Sequence, residues 1–172
     1  MKRIIITAVI ILSAFLLQTT VFQWIPYIET VPNLLLIITF SIGFMRGRKE
    51  GMAVGFVCGL LLDLFYGDIL GFYTLAFVYI GYFNGILSKF LVTDIVLLPM
   101  GLCLFSGLLY NLYIYIFGFL IRRRLDFISY VNTVILPEII LTLLATILLY
   151  GILLIINRKL EEYEKKGATK FA

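Results

Sequence analysis

The residues in this chain that could do chemistry are few, and most sit in apolar surroundings. Asp63 closes the run Gly51-Met-Ala-Val-Gly55-Phe-Val-Cys-Gly59-Leu-Leu-Leu-Asp63, Asp68 follows in a glycine-bounded turn, and Glu138 stands early in the last apolar segment. Arg122, Arg123 and Arg124 form the one arginine run. A charge in hydrocarbon is costly and generally serves a purpose, which makes Asp63 the most informative of these residues. Acid–base catalysis needs two groups placed about one reacting bond, and nothing in these spacings fixes such a geometry. Histidine is absent, and the two cysteines, Cys58 and Cys103, fall in different apolar segments. The donors for a zinc site or a Cys–His nucleophile are therefore missing, and both cysteines read as small buried apolar residues. There is no phosphate-binding loop and no Gly-x-Ser-x-Gly elbow. No enzyme, cofactor or metal is expected, and nothing points to nucleic acid.

The elements that carry these residues are membrane helices. Of 172 residues, 62% are hydrophobic and 14% charged, and the mean hydropathy is +1.08. Soluble domains lie nearer about 45–50% apolar and about 25% charged. The expectation is an all-α, polytopic transmembrane helical bundle, one integral membrane domain over residues 1–172 with no polar stretch able to build a soluble core. The start, Met-Lys2-Arg3 and then Ile4 to Leu17, resembles a signal peptide. Its apolar run continues to about Trp24 without a small-residue cleavage pattern, so it reads as a retained first helix.

A helix needs about 20 residues to cross ~30 Å of hydrocarbon. About six spans are expected, at 4–24, 33–45, 51–66, 72–88, 95–121 and 131–156, with a short cytoplasmic tail over 157–172. Pro32 suits the first turn of the second helix. Arg46-Gly-Arg48-Lys49-Glu50 is expected as a compact charged turn, and Gly67 to Gly71 as the break after the third segment. Six crossings put both termini on one side with eleven of the fourteen Lys and Arg residues, and the positive-inside rule makes that side cytoplasmic. Arg122, Arg123 and Arg124 then face outward, against the rule. A re-entrant hairpin of segments two and three would relieve this only if another crossing were also reassigned. In the tail, Glu161 precedes Lys165 by four residues and Glu162 precedes Lys166 by four, pairs that support a protruding helix end. The same lysines would also suit anionic lipid headgroups.

The glycines at 51, 55 and 59 drift about 40° per step on a helix, as suits a crossing rather than a parallel seam. Small residues let membrane helices approach closely. The stripe therefore packs on a partner helix, internal or from another protein; segment four carries a second pair, Gly81 and Gly85. Asp63 lies ~18 Å up the axis from Gly51, at the end shared with Asp68 and Glu138. One reading pairs Asp63, Asp68 or Glu138 with Arg122, Arg123 or Arg124. The other has Asp63 capping its own segment or bonding Asn84, Asn111 or a tyrosine. Tyr110, Tyr113 and Phe117 share a face of segment five and read as a packing stripe.

Pro32-Asn33-Leu-Leu-Leu-Ile, then Arg46-Gly47, the Gly51–Gly59 stretch, Leu-Leu-Asp63-Leu, and Gly67 with Leu70-Gly71 together resemble the MreD family of rod shape-determining membrane proteins. Gly81-Tyr82, Gly85 and the late Pro137 extend the likeness. The family often has Pro-Asp where this chain has Pro32-Asn33. The resemblance implies a bacterial inner-membrane subunit of the lateral wall-synthesis machinery, without chemistry of its own. It implies MreC as partner, bound helix to helix in lipid, within a complex that includes MreB, RodA and a transpeptidase. The positions it singles out are Asp63, the glycine stripe, Pro32, Asn33, Gly71, Arg46 and Arg48. The family's fold is similar to the substrate-binding subunits of energy-coupling-factor vitamin transporters, which supplies the alternative function. Those subunits carry an Ala-x-x-x-Ala docking motif in the first helix, whereas Ala8 and Ala14 here are six apart.

Overall fold

The computed structural model describes residues 2–21, 31–67, 69–89, 97–120 and 127–168. These residues form six helical rods. The first is α1 (Lys2–Leu16), which widens into a π-type stretch at Leu17–Val21. It is followed by α2 (Leu34–Arg46), α3 (Arg48–Tyr66) and α4 (Phe72–Leu87). The fifth rod is α5 (Leu97–Ile114) with its wider end Tyr115–Leu120. The sixth runs through α6 (Phe127–Tyr130), a π-type stretch Val131–Ile135, and α7 (Leu136–Ala168). The all-helical bundle expected from composition is the fold observed. By length and composition, Arg3–Thr20, Leu98–Phe117 and Ile128–Leu160 are long and apolar enough to cross a membrane.

At the centre lies α2. Each residue from Leu34 to Gly43 is buried in protein, one of the two settings, with lipid, that suit a largely apolar helix. Leu35, Ile37, Ile38 and Phe40 form the middle of the core, with Cys58 of α3 and Phe77 of α4 against them. Cys103 is buried as well, so both cysteines are interior residues. The aromatic stripe of α5 packs on α4: Tyr110 meets Phe77 with ring centroids 5.5 Å apart, and Tyr113 meets Phe72 at 5.0 Å.

Contacts along α2 show that successive rods alternate in direction. Its first residues meet Gln18, Asn111 and Thr142, while its last meets Thr7 and Asn157. Two joints produce the reversals near the centre. Between α2 and α3 the only residue is Gly47, at φ +88° and ψ −176°, a conformation essentially restricted to glycine. The charged turn expected at Arg46 to Glu50 is thus a correction. Arg46 ends α2, Gly47 alone makes the reversal, and Arg48, Lys49 and Glu50 form the first turn of α3. Between α3 and α4 the chain turns from Gly67 to Gly71, whose φ is +99°.

The described part of the last rod runs from Phe127. Pro137 lacks the N–H of an α-helical bond and crowds the preceding turn. The chain absorbs this by widening just upstream, where the Leu136 N–H reaches the Val131 carbonyl, an i→i+5 bond that lets the rod continue.

Candidate functional site

Asp63 is only 2% exposed, yet it sits in a dense set of donors. Its Oδ1 accepts from the Tyr73 N–H at 2.8 Å. Its Oδ2 accepts from the N–H groups of Gly71 at 3.0 Å and Thr74 at 2.9 Å, and from the Thr74 hydroxyl. The first N–H groups of any helix lack partners within it, and the helix dipole favours a negative charge there. The carboxylate of α3 therefore caps α4 from outside, closing the α3–α4 hairpin. The sequence left open that Asp63 caps its own segment; the donors it meets belong instead to the start of the next helix. The rival partners Arg122, Arg123 and Arg124, and Asp68, lie outside the described residues.

Below this cap the two helices meet backbone to backbone. A Cβ on Gly59 would strike Thr74 Cα, and one on Gly55 would strike the Phe77 carbonyl. At Gly51 a Cβ would lie 2.6 Å from both Gly43 Cα and the Gly81 oxygen. Gly43, Gly51 and Gly81 thus bring α2, α3 and α4 together at one level. Gly85 continues the contact onto Arg48, where a Cβ would lie 2.5 Å from its Cα. The glycine stripe is taken up by α4 of the same chain. Its partner pair was visible as Gly81 and Gly85; Gly43 was not singled out, although it and Gly47 continue the four-residue register upstream of Gly51.

Arg46 and Arg48, adjacent in the sequence reading, have different surroundings. Arg48 is exposed. Arg46 has a side chain only 7% exposed and ties four rods together. Its Nε donates to Asn157 Oδ1 at 2.7 Å, and its Nη1 to Thr7 Oγ1 at 3.1 Å and Glu50 Oε2 at 3.3 Å. Lysine cannot reproduce this fork of donors. Arg46→Lys is therefore expected to lower stability by about 1–3 kcal/mol through the buried groups left unpaired, as a fall in melting temperature in detergent. An unchanged melting temperature would show that the fork contributes nothing.

At the opposite end of α2, Asn33 is the N-cap and is 4% exposed. Its Oδ1 accepts from the Leu36 N–H at 3.0 Å, and its own N–H donates to Thr142 Oγ1 at 3.1 Å. Pro32 supplies a carbonyl to the Leu34 N–H at 3.0 Å. Gln18 adds a second cap from the first rod, accepting from Leu34 N–H at 3.1 Å. Asn33, Asn111, Glu138 and Thr142 line a cavity of about 10 Å³, room for one water. Asn111 Oδ1 faces no partner there among the described residues. Gln18, Thr74, Thr142 and Asn157 were not anticipated. Of these, Thr74 carried a signal, being the third residue of a helix that begins just after a glycine turn.

Six alternating apolar rods, locked by buried caps and backbone-to-backbone glycine contacts, define a polytopic membrane protein whose polar groups serve helix packing. The family model for the rod shape-determining protein MreD matches residues 2–160. The chain belongs to the MreD family, and is a rod-shape membrane protein. Among curated proteins and among solved structures none matches the chain. The likeness to energy-coupling-factor subunits accordingly rests on the family resemblance alone.

Proposed function

We propose that the chain is a non-enzymatic inner-membrane subunit of the cell-wall elongation complex. In this role it binds MreC helix to helix and helps organise lateral peptidoglycan synthesis alongside MreB, RodA and a transpeptidase. The observation that carries the reading is the family match over residues 2–160. The packing agrees with it: Asp63, Asn33 and Arg46 are engaged in caps and cross-braces, and long apolar faces remain as the means of association. Leu64, Phe65, Ile147 and Leu148 are among the large apolar residues on those faces, each at least half exposed. In this reading Asp63, Gly51, Gly55, Gly59 and Gly71 act on partners by fixing the α3–α4 hairpin. Pro32, Asn33, Arg46 and Arg48 set the two ends of α2 on which it leans.

We propose further that the rods form one integral membrane domain of six crossings, with both termini cytoplasmic and residues 157–172 as a cytoplasmic tail. Affinity purification from gently solubilised membranes tests the functional reading. MreC is expected in the eluate; recovery with an energising ATPase module and without MreC would overturn it. The orientation has its own test in Asp126→Cys. An impermeant thiol reagent is expected to label this variant in intact cells with an opened outer envelope, and labelling only after lysis would sink the six-crossing arrangement.

A further inference from the structure

The fifth and sixth rods meet the start of α2 at one polar spot. The cavity of about 10 Å³ there is lined by Asn33, Asn111, Glu138 and Thr142, with Gly107 and Ile139 in its apolar wall. The hydrogen bonds around it are largely committed. The Asn111 Nδ2 donates to the Gly107 carbonyl at 3.1 Å, which ties that nitrogen to its own helix. The Thr142 hydroxyl donates to the Glu138 carbonyl at 2.6 Å and accepts from the Asn33 N–H at 3.1 Å. Asn33 Oδ1 is engaged by the Leu36 N–H. Asn111 Oδ1, on a residue only 1% exposed, has no donor among the described residues. Buried polar atoms almost always have a partner, either protein or ordered water. Glu138 lines the same cavity with a carboxylate, and a charge withdrawn from solvent also needs hydrogen bonds. No basic residue stands on α5, and none on α7 before Arg158.

We infer that this cavity binds one water, which donates its two hydrogens to Asn111 Oδ1 and the Glu138 carboxylate. The water thereby bridges the fifth and sixth rods beside the N-cap of α2. Size and coordination select the occupant. A buried water needs about 10–15 Å³ and about two to four polar partners. The cavity has that room, and its two acceptors meet the lower bound, with Asn33 and Thr142 adjoining them. A hard cation such as calcium or magnesium takes about six or more oxygens. Asn33 Oδ1 and Thr142 Oγ1 are already engaged, so a cation here is left short of ligands. The bridge gives α7 a third polar tie near the start of α2, beside the Thr142 bond and the Asn33 cap.

Substitution at Gly107 tests this without altering the polar groups. A Cβ there would meet only Ile139 Cγ1, at 3.5 Å, an ordinary contact on the cavity wall. Alanine and serine both take up the water's room, but only serine brings a hydroxyl in its place. Helix propensity alone ranks alanine above serine. In detergent, Gly107→Ser is therefore expected to melt about 2–4 °C above Gly107→Ala. At Gly101, where a Cβ meets nothing within 4 Å, alanine should keep its lead over serine. In an Asn111→Leu background the serine advantage at position 107 should vanish. Should Asn111→Leu not fold, a high-resolution crystal structure of the unmutated chain gives the direct answer. It is expected to show one peak of density within hydrogen-bond distance of Asn111 Oδ1, the same in sodium and in sodium-free buffer. Alanine melting above serine at both positions would overturn the inference. So would a serine lead that survives Asn111→Leu, an empty cavity in the crystal structure, or a peak that disappears when sodium is withdrawn.

Discussion

Replacing Asp63 by leucine is expected to lower the unfolding free energy by about 3–5 kcal/mol. The carboxylate satisfies the N–H groups of Gly71, Tyr73 and Thr74 together with the Thr74 hydroxyl. Loss of an N-cap alone costs about 0.5–2 kcal/mol, and each buried donor left without an acceptor adds about 1–3 kcal/mol. Lipid offers no water to take the place of the lost acceptor. Asp63→Asn keeps one acceptor oxygen and gives up the charge, so about 1–2 kcal/mol is expected there. Unfolding titrations in mixed micelles measure both. A loss below about 1 kcal/mol for the leucine variant would mean that the carboxylate does not hold α4. The same experiment separates the cap from an arginine partner. Asp63→Arg combined with Arg123→Asp should recover nothing, because the donors that need an acceptor belong to α4; recovery would assign the carboxylate to the arginines.

Gly81→Val should be nearly as damaging, for a steric reason. A Cβ at Gly81 would strike the Gly51 carbonyl, and Gly51 in turn faces Gly43 Cα. Backbone atoms on three helices cannot move aside as a flexible side chain can. Overpacking commonly costs about 1–3 kcal/mol, and the valine variant, which adds branching at the same point, is expected to cost about 3 kcal/mol. Gly101, by contrast, has nothing within 4 Å of a built Cβ. Gly101→Ala there should be neutral or gain up to about 1 kcal/mol from helix propensity. The contrast between the two positions is the measurement. Equal effects at Gly81 and Gly101 would show that α3 and α4 are not in backbone contact.

These two sites show how far the sequence carried the reading. Asp63 could be singled out because a buried charge is costly, but its partners depend on a reversal of the chain. The turn at Gly71 returns α4's first N–H groups onto α3, and only the later Thr74 hinted at this. The glycines at 51, 55, 59, 81 and 85 announced a close crossing through their spacing. Gly43, four residues before Gly47 and eight before Gly51, lay in the same register, but its part in the crossing depends on the reversal at Gly47 that brings α2 against α3 and α4. Arg46 and Arg48 looked like one charged turn. Their separation follows from the single-residue joint at Gly47, which leaves Arg46 inward among Thr7, Glu50 and Asn157 and starts a new helix at Arg48. Glu138 was placed among acids awaiting arginine; it lines a small cavity with Asn33 and Asn111, while Arg122, Arg123 and Arg124 lie outside the described residues. Amides two helices away in sequence leave no local trace.

The length of α2 also bears on how the molecule meets membranes of different thickness. Its 13 residues rise about 20 Å, some 10 Å less than the ~30 Å hydrocarbon layer. Both its ends are closed inside protein, by Gln18, Thr142 and the Asn33 cap at one and by the Arg46 brace at the other. The rods that present apolar faces to lipid include the 33-residue span Ile128–Leu160, which has length to spare. A thicker or thinner bilayer is thus met by tilt of the outer rods, while the short central helix keeps its surroundings. The molecule carries its own interior, with the ends of its central helix held by protein groups.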